Sequence, residues 1–110
     1  MSDPWEISPE DVQRRIAEED DLVLIDCRTR GEFDVSHIEG ATLMPMQELS
    51  IRDEDIRALE HGNVIIYCRT GRRSRIVARF MTLRGCTNVV SMAGGVEAWA
   101  DRIDPSMTTA

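Results

Sequence analysis

The fold of this chain is decided by one stretch, Val64-Ile65-Ile66-Tyr67-Cys68-Arg69-Thr70-Gly71-Arg72-Arg73-Ser74. Its first four residues are apolar and three of them are β-branched, which predicts a buried strand. From residue 74 to residue 84, Ile76, Val77, Phe80 and Met81 lie on one stripe, which predicts a helix. A buried strand that passes through a glycine turn into a helix is the unit of an α/β fold, and Cys68 stands at that junction.

Strands and helices alternate along the rest of the chain as well. This alternation predicts a mainly parallel sheet with helices on both faces, in which the carboxyl ends of the strands carry the chemistry. Cys68 ends the strand that we expect at the centre. Further strands are predicted over 22–27, 41–44 and 88–92, and a turn is predicted at Arg30-Gly31. Helices are predicted to start at Ser8-Pro9, near Glu32-Phe33 and at Gly94-Gly95, and another is predicted over 46–59.

Length and composition suit one domain over residues 1–110 with a flexible tail at 104–110, since the chain is 42% hydrophobic and 30% charged. A net charge of -7 argues against a nucleic-acid partner. The apolar runs are too short to span a bilayer, and residues 1–6 show neither a basic start nor an apolar segment. We therefore expect no membrane partner, no secretory signal and a cytoplasmic location.

The charge is distributed unevenly along the chain. Residues 1–60 hold 17 acids and 6 arginines, a net of -11, whereas residues 61–110 hold 3 acids and 7 arginines, a net of +4. All of the basic residues are arginine, and the sequence gives no reason for that choice. The positive half surrounds Cys68, which predicts attraction of an anionic substrate.

Cys27, Cys68 and Cys86 show no C-x-x-C spacing. The sequence therefore predicts no zinc site, no other metal and no cofactor, and free thiols in a reducing compartment. Cys27 and Cys86 have apolar neighbours and are interpreted as small buried hydrophobic residues, although Cys27 could serve as a second thiol.

Cys68 differs because it lies between a buried strand and the start of a helix, where unpaired backbone N–H groups stabilise negative charge on sulfur. We expect the pKa of its thiol to be lowered and the thiolate to be the catalytic nucleophile. A thiolate attacks another sulfur without a general base, so the loop predicts sulfur transfer through a Cys68 persulfide. The substrate-binding residues predicted around it are Arg69, Thr70, Gly71, Arg72, Arg73 and Ser74.

Three motifs in order resemble the rhodanese, or thiosulfate sulfurtransferase, family over about residues 22–100. They are Leu24-Ile25-Asp26-Cys27-Arg28 with Glu32-Phe33 and His37-Ile38-Glu39-Gly40-Ala41, then the 64–74 stretch, then Asn88-Val89-Val90 with Gly94-Gly95-Val96-Glu97-Ala98-Trp99. The resemblance implies a five-stranded α/β domain whose cysteine takes the sulfane sulfur of thiosulfate, releases sulfite and passes the sulfur to cyanide or a thiol. The expected partners are thiosulfate or another sulfur donor, and a thiol or sulfur-carrier protein as acceptor. We expect a monomer or a weak homodimer.

The chain departs from the family pattern at three positions outside the loop. Cys27 stands where an apolar residue is usual, Ser36 where glycine is common, and Glu39 where proline is common. None of these changes touches residues 68–74, so the predicted chemistry is unaffected.

Two other functions remain open at this point. Phosphatases and arsenate reductases on the same fold use a longer Cys-x5-Arg loop, but here the arginine position is Ser74, and Arg73 falls one residue short. A sulfur-relay or interaction module without thiosulfate turnover would carry the same fold. Whether Cys68 accepts sulfur discriminates between these functions and the predicted one.

Other polar residues near these motifs are interpreted as structural. His37 is expected to make a structural hydrogen bond, and Asp26 and Arg28 to pair at the edge of the sheet. Arg75 and Arg79 are expected to be solvated or paired with acids.

Overall fold

Five strands form one parallel sheet in the computed structural model, which describes residues 4–108. The strands are β1 (Glu6–Ile7), β2 (Val23–Asp26), β3 (Thr42–Leu43), β4 (Val64–Tyr67) and β5 (Val89–Met92). Their order across the sheet is β1-β5-β4-β2-β3, and every pair is parallel. The 64–67 strand is therefore central, as the sequence predicted, and all four of its residues are buried.

Helices cover both faces of this sheet, which confirms the predicted α/β architecture. One face carries α1 (Pro9–Glu18) and α5 (Gly95–Arg102), which bury Val12, Val96 and Trp99 against it. The other face carries a 3-10 helix (Met46–Ile51), α3 (Asp53–Ala58) and α4 (Arg72–Leu83). A short helix, α2 (Arg30–Val35), follows β2.

The two N-terminal helices begin at side-chain caps. The Ser8 hydroxyl accepts the N–H of Asp11 at 3.1 Å and Pro9 opens α1, as predicted. The predicted turn at Arg30-Gly31 is wrong, because these residues begin α2. Thr29 and Glu32 form a capping box there, in which each side chain accepts the other residue's backbone N–H, and this stabilises a helix where arginine and glycine alone suggested a turn.

Three further details differ from the sequence prediction. The edge strand β1 was not predicted, because a two-residue strand is too short to show a periodic pattern. The helix expected over 46–59 is divided at Arg52, where the 3-10 helix ends and α3 begins. Ile76 was placed on the inward stripe of α4, but 59% of it is exposed, whereas Val77 and Met81 are fully buried.

The flexible tail was predicted from residue 104, and its last two residues, 109–110, lie outside the described residues. Residues 1–3 of the N-terminal segment, for which no secretory signal was predicted, also lie outside them. Within the described part, Met107 packs against the cluster that contains Trp99. Among residues 4–108, no helix is long and apolar enough to cross a membrane.

The carboxyl ends of β2 and β4 meet at the centre of the sheet. Asp26 pairs in register with Tyr67, and the N–H of Cys27 donates to the carbonyl oxygen of Tyr67 at 3.0 Å. Cys27 and Cys68 are the next residues of the two strands. The topology therefore places these two cysteines side by side where the strands end.

Candidate active site

The Cys68 sulfur lies in a cradle of backbone N–H groups. Its Sγ accepts the N–H of Gly71 at 3.1 Å and the N–H of Ser74 at 3.4 Å. The Ser74 hydroxyl lies 3.4 Å from the same sulfur. Only 1% of Cys68 is exposed, so these hydrogen bonds act in a poorly solvated environment, where they stabilise a thiolate strongly.

Gly71 makes the turn that aims α4 at the sulfur. It is the N-cap of the helix and has a φ of +99°, in the left-handed region that a residue with a side chain adopts only with strain. A Cβ at this position would also lie 3.2 Å from the backbone nitrogen of Gly94. A glycine at position 71 thus allows the N–H groups at the start of this twelve-residue helix to contact the Cys68 sulfur.

The start of α5 supports the loop from the other side. The carbonyl oxygens of Cys68 and Arg69 accept the N–H groups of Val96 at 2.8 Å and Glu97 at 3.1 Å. A Cβ on Gly95 would come within 2.5 Å of the backbone of Cys68 and Arg69, closer than real Cβ atoms approach. Sequence reasoning used Gly94-Gly95 only as a helix start, although paired glycines also signal this close backbone approach.

A buried serine pair extends the cradle. The hydroxyls of Ser74 and Ser91 lie 2.6 Å apart, and both residues are completely buried. Ser74 is therefore fixed between Cys68 and β5. Ser91 was not predicted as part of the site, and its signal was a polar residue inside the apolar run Val89-Val90-Ser91-Met92.

The three predicted arginines have different surroundings. Arg73 makes a two-pronged ion pair with Glu32, with nitrogen–oxygen distances of 2.8 and 3.0 Å. That pair lowers the pKa of the Glu32 carboxyl to about 2. Arg69 is exposed and donates to Glu97 at 2.8 Å. Arg72 and Thr70 are exposed at the rim of the loop, so Arg72 offers its charge to solvent and to any approaching anion.

Cys27 lies beside the cradle and is completely buried. The pKa of the Cys68 thiol is lowered to about 4, and the side-chain hydrogen bond with Cys27 is the largest cause. Ser74 and the N–H of Gly71 lower it further, while burial acts in the opposite direction. The pKa of Cys27 is raised far above its usual range, first by the same hydrogen bond and then by burial. Cys27 is thus the protonated member of the pair and Cys68 the thiolate.

The residues interpreted as structural occupy structural positions. Asp26 and Arg28 are both completely buried and form an ion pair at 2.7 Å, which confirms the predicted pairing. Arg28 also donates to the carbonyl oxygen of Ser36 at 2.7 Å. His37 is exposed, its Nδ1 lies 2.9 Å from the carbonyl oxygen of Phe33, and its ring stacks on the Phe33 ring.

Cys86 is buried away from the cradle, and its Sγ lies 3.6 Å from the carbonyl oxygen of Ile56. Burial raises the pKa of its thiol. Among residues 4–108, no group of three or more histidine, cysteine, aspartate or glutamate side chains has the arrangement of a metal site. The polar groups nearest the Cys68 sulfur are the N–H groups of Gly71 and Ser74 and the Ser74 hydroxyl.

Comparison with known proteins places this chain in a family. Residues 8–102 match the model of the rhodanese-like domain. The chain is 35% identical over 95 residues to a sulfurtransferase of Allochromatium vinosum, covering 86% of this chain and 87% of that protein. It is 28% identical over 99 residues to the putative sulfur carrier protein YrkF of Bacillus subtilis, covering 90% of this chain and 52% of that protein. The human single-domain sulfurtransferase TSTD1 has the same fold, with a TM-score of 0.79, 20% identity and coverage of 91% and 98% of the two chains. The chain therefore belongs to the rhodanese-like family of sulfurtransferases.

Proposed function

We propose that this chain moves a sulfane sulfur from thiosulfate, or from a persulfide donor, to cyanide or a thiol acceptor through a persulfide on Cys68. One observation carries the proposal: the Cys68 sulfur accepts N–H groups from Gly71 and Ser74 at the N-terminus of α4. Such donors stabilise both a thiolate and the persulfide anion that replaces it. The residues proposed to surround the bound anion are those of the loop, Arg69, Thr70, Gly71, Arg72, Arg73 and Ser74.

The first half-reaction is a direct sulfur–sulfur exchange. The Cys68 thiolate attacks the outer sulfur of thiosulfate, a new sulfur–sulfur bond forms, and sulfite leaves with the electron pair of the broken bond. The lowered pKa of Cys68 supplies the thiolate at neutral pH without a general base. The product carries its negative charge on the outer sulfur, within the positive end of α4.

The second half-reaction returns the cysteine to its starting state. Cyanide or a thiolate attacks the outer sulfur of the persulfide, and the electron pair of the sulfur–sulfur bond returns to the Cys68 sulfur. The N–H groups of Gly71 and Ser74 then stabilise the restored thiolate. The protein supplies position and charge stabilisation in both steps, and no proton has to be removed from Cys68.

The alternative function of a phosphatase is disfavoured by the residue at position 74, which is serine. Ser74 is completely buried, and its hydroxyl lies between Cys68 and Ser91. An arginine that bound phosphate would be needed at this place in a Cys-x5-Arg loop. Arg73, the adjacent cation, already pairs with Glu32. This arrangement supports a small cradle for one sulfur atom.

The sulfur-relay alternative shares the same first step and differs in donor and acceptor. The name of YrkF, a putative sulfur carrier, supports a protein as one of the exchange partners. The exposed Arg72 lies at the rim where such a partner would approach. The free and buried state of the three cysteines suits a reducing compartment such as the cytoplasm.

The test is intact mass after exposure to thiosulfate and removal of the excess. We expect a gain of about 32 Da that disappears on addition of cyanide, since one sulfur atom is carried on Cys68. The Cys68→Ser variant should show no gain and no turnover while keeping the far-ultraviolet circular dichroism of the wild type. Cys86→Ala is the matched control and should gain the same mass as the wild type.

A folded protein with a free Cys68 thiol and no mass gain from thiosulfate would contradict the thiosulfate step. A gain from a protein persulfide or polysulfide in that case would identify the relay function. A gain that persisted in Cys68→Ser would assign the sulfur to another cysteine and refute the proposal.

A further inference from the structure

Cys27 and Cys68 form a pair of thiols that the sulfurtransferase reaction uses only in part. They follow Asp26 and Tyr67, which are in register on adjacent parallel strands. Both cysteines belong to the same buried cluster, together with Ile25 and Ile66 of the same strands, so the four side chains share one face of the sheet. Cys86 belongs to that cluster as well, but its sulfur lies at the carbonyl oxygen of Ile56.

The spacing of adjacent strands suits a disulfide between the two cysteines. Neighbouring strands lie about 4.7 to 4.9 Å apart, and disulfides join Cα atoms separated by about 4.4 to 6.8 Å. The hydrogen bond from the Cys27 N–H to the carbonyl oxygen of Tyr67 at 3.0 Å holds the end of β2 against β4. A bond between the sulfurs would therefore need no separation or sliding of the strands.

We propose that Cys27 is a resolving thiol, which attacks the persulfide of Cys68, closes a Cys27–Cys68 disulfide and releases hydrosulfide. This inference rests on the proposed function, since it begins from the persulfide. It gives the chain a second reaction, the conversion of a sulfane sulfur to free sulfide.

The step balances without an outside oxidant. A bond forms between the sulfurs of Cys27 and Cys68, and the bond between Cys68 and its outer sulfur breaks. The electron pair leaves on the outer sulfur, which takes up the Cys27 proton and departs as hydrosulfide. The outer sulfur is reduced and Cys27 is oxidised. A dithiol reductant then restores the two thiols before the next turnover.

Burial separates this reaction from transfer to an external acceptor. Cys27 is completely buried, and the register of Asp26 with Tyr67 places it beside Cys68 on the neighbouring strand. An external thiol or cyanide would approach past the exposed loop residues Thr70 and Arg72 and attack the outer sulfur. Cys27 attacks the inner sulfur, because that is the atom beside it. The raised pKa of Cys27 makes its attack slow, so the internal reaction takes the sulfur when no acceptor is present.

The experiment loads the protein with sulfur, removes the donor, and follows intact mass and free sulfide without an acceptor. For the wild type we expect the form that is heavier by about 32 Da to change into one that is lighter than the dithiol by about 2 Da, with about one sulfide released per chain. Peptide mapping should identify the Cys27–Cys68 disulfide. The rate should not depend on protein concentration, because both thiols belong to one chain.

Cys27→Ser is the decisive variant, since a serine hydroxyl still donates a hydrogen bond to Cys68 but cannot form a disulfide. It should load with sulfur and keep the added mass, with sulfide release slower by at least about tenfold. Cys86→Ala removes the other buried thiol and should behave as the wild type. If Cys27→Ser folds poorly, Cys27→Ala takes its place. This variant also removes the hydrogen bond to Cys68, so its rate of sulfide release is compared with that of the wild type only after both proteins have been loaded with sulfur to the same extent.

Each result decides between the two proposals. A persulfide that stays unchanged in the wild type, or sulfide release at equal rates from wild type and Cys27→Ser, overturns the resolving role and leaves the transfer function intact. Failure of every variant to gain sulfur from any donor overturns the transfer function and this inference with it.

Discussion

The tripeptide Cys-Arg-Thr occurs twice in this chain, at the carboxyl ends of the adjacent strands β2 and β4. Cys27-Arg28-Thr29 follows the first strand and Cys68-Arg69-Thr70 the second. Both cysteines are buried, yet the pKa of Cys27 is raised and that of Cys68 is lowered. Identical local sequence therefore leads to a protonated thiol in one place and a thiolate in the other.

The residues that surround each tripeptide explain the difference. After β2, Arg28 folds back onto Asp26, and the Thr29 hydroxyl accepts the N–H of Glu32 in the cap of α2. After β4, Gly71 adopts a φ of +99° and directs the first N–H groups of α4 to the Cys68 sulfur. The comparison teaches that the residue three positions after the cysteine, Arg30 or Gly71, decides where the helix donors point.

The largest expected difference between the two tripeptides is in stability, when the arginine of each is replaced by alanine. Arg28→Ala leaves the Asp26 carboxylate buried without its partner, which we expect to lower the free energy of unfolding by about 3 to 5 kcal/mol. Arg69→Ala removes an exposed ion pair with Glu97 and should cost about 0 to 1 kcal/mol. Urea unfolding of both variants measures the difference. Equal losses of stability would refute the structural assignment of Arg28.

Gly71→Ala should give the next largest effect. Alanine at a left-handed φ costs about 1 to 2 kcal/mol, and the strain shifts the N–H group away from Cys68. Because loss of one aligned donor commonly lowers kcat by about a hundredfold or more, we expect kcat for sulfur transfer to fall by that order. The measurement is kcat with thiosulfate in a discontinuous assay. Gly31→Ala is the control, because Gly31 lies in α2 and has no positive φ. A Gly71→Ala enzyme with wild-type kcat would show that the cradle does not depend on this turn.

The pH dependence of alkylation distinguishes the two thiols directly. The thiolate is the reactive form, so the rate at Cys68 should be constant at neutral pH and decrease only as pH falls through about 4. Ser74→Ala removes a hydrogen bond that favours the thiolate, which should move this midpoint upward by roughly one to two pH units. Iodoacetamide labelling, followed by mass spectrometry at each pH, reports Cys68 and Cys27 separately. A midpoint that did not move would remove Ser74 from the causes of the low pKa.

The smallest effect is expected at the rim. Arg72→Ala removes an exposed cation near the loop, and we expect the KM for thiosulfate to rise about threefold with little change in kcat, since the charge guides an anion that other groups bind. Arg79→Ala, farther along the exposed side of α4, is the matched control and should leave the KM unchanged. The same rise in both variants would indicate a general effect of net charge.

Much of the fold followed from local pattern. The apolar run at residues 64–67 and the alternation of strands and helices predicted the central strand and the layers. Short elements were harder to predict, because β1 has two residues and gains its hydrogen bonds from β5. The capping box of α2 was readable from Thr29 and Glu32, but the adjacent Arg30-Gly31 suggested a turn more strongly.

The candidate site also has features that the sequence predicted and features that only the structure showed. The strand-to-helix position of Cys68 and the glycine that follows it were visible in the chain. Arg73 pairs with Glu32, which is 41 positions away in the chain, and Ser74 of α4 contacts Ser91 of β5. No local pattern contains such partners.

By itself, the sequence determined the alternation of the longer strands and helices, the cysteine that we propose as the nucleophile, and the glycine turn that follows it, because these depend on residues close together in the chain. Only the tertiary structure decided that Cys27 lies beside Cys68, since β2 and β4 are separated in sequence by β3 and α3 and become neighbours through sheet order. It also decided which arginines are already paired. Hydrogen bonds and charges act through space over a few ångströms, so the state of each thiol depends on neighbours that chain order does not reveal.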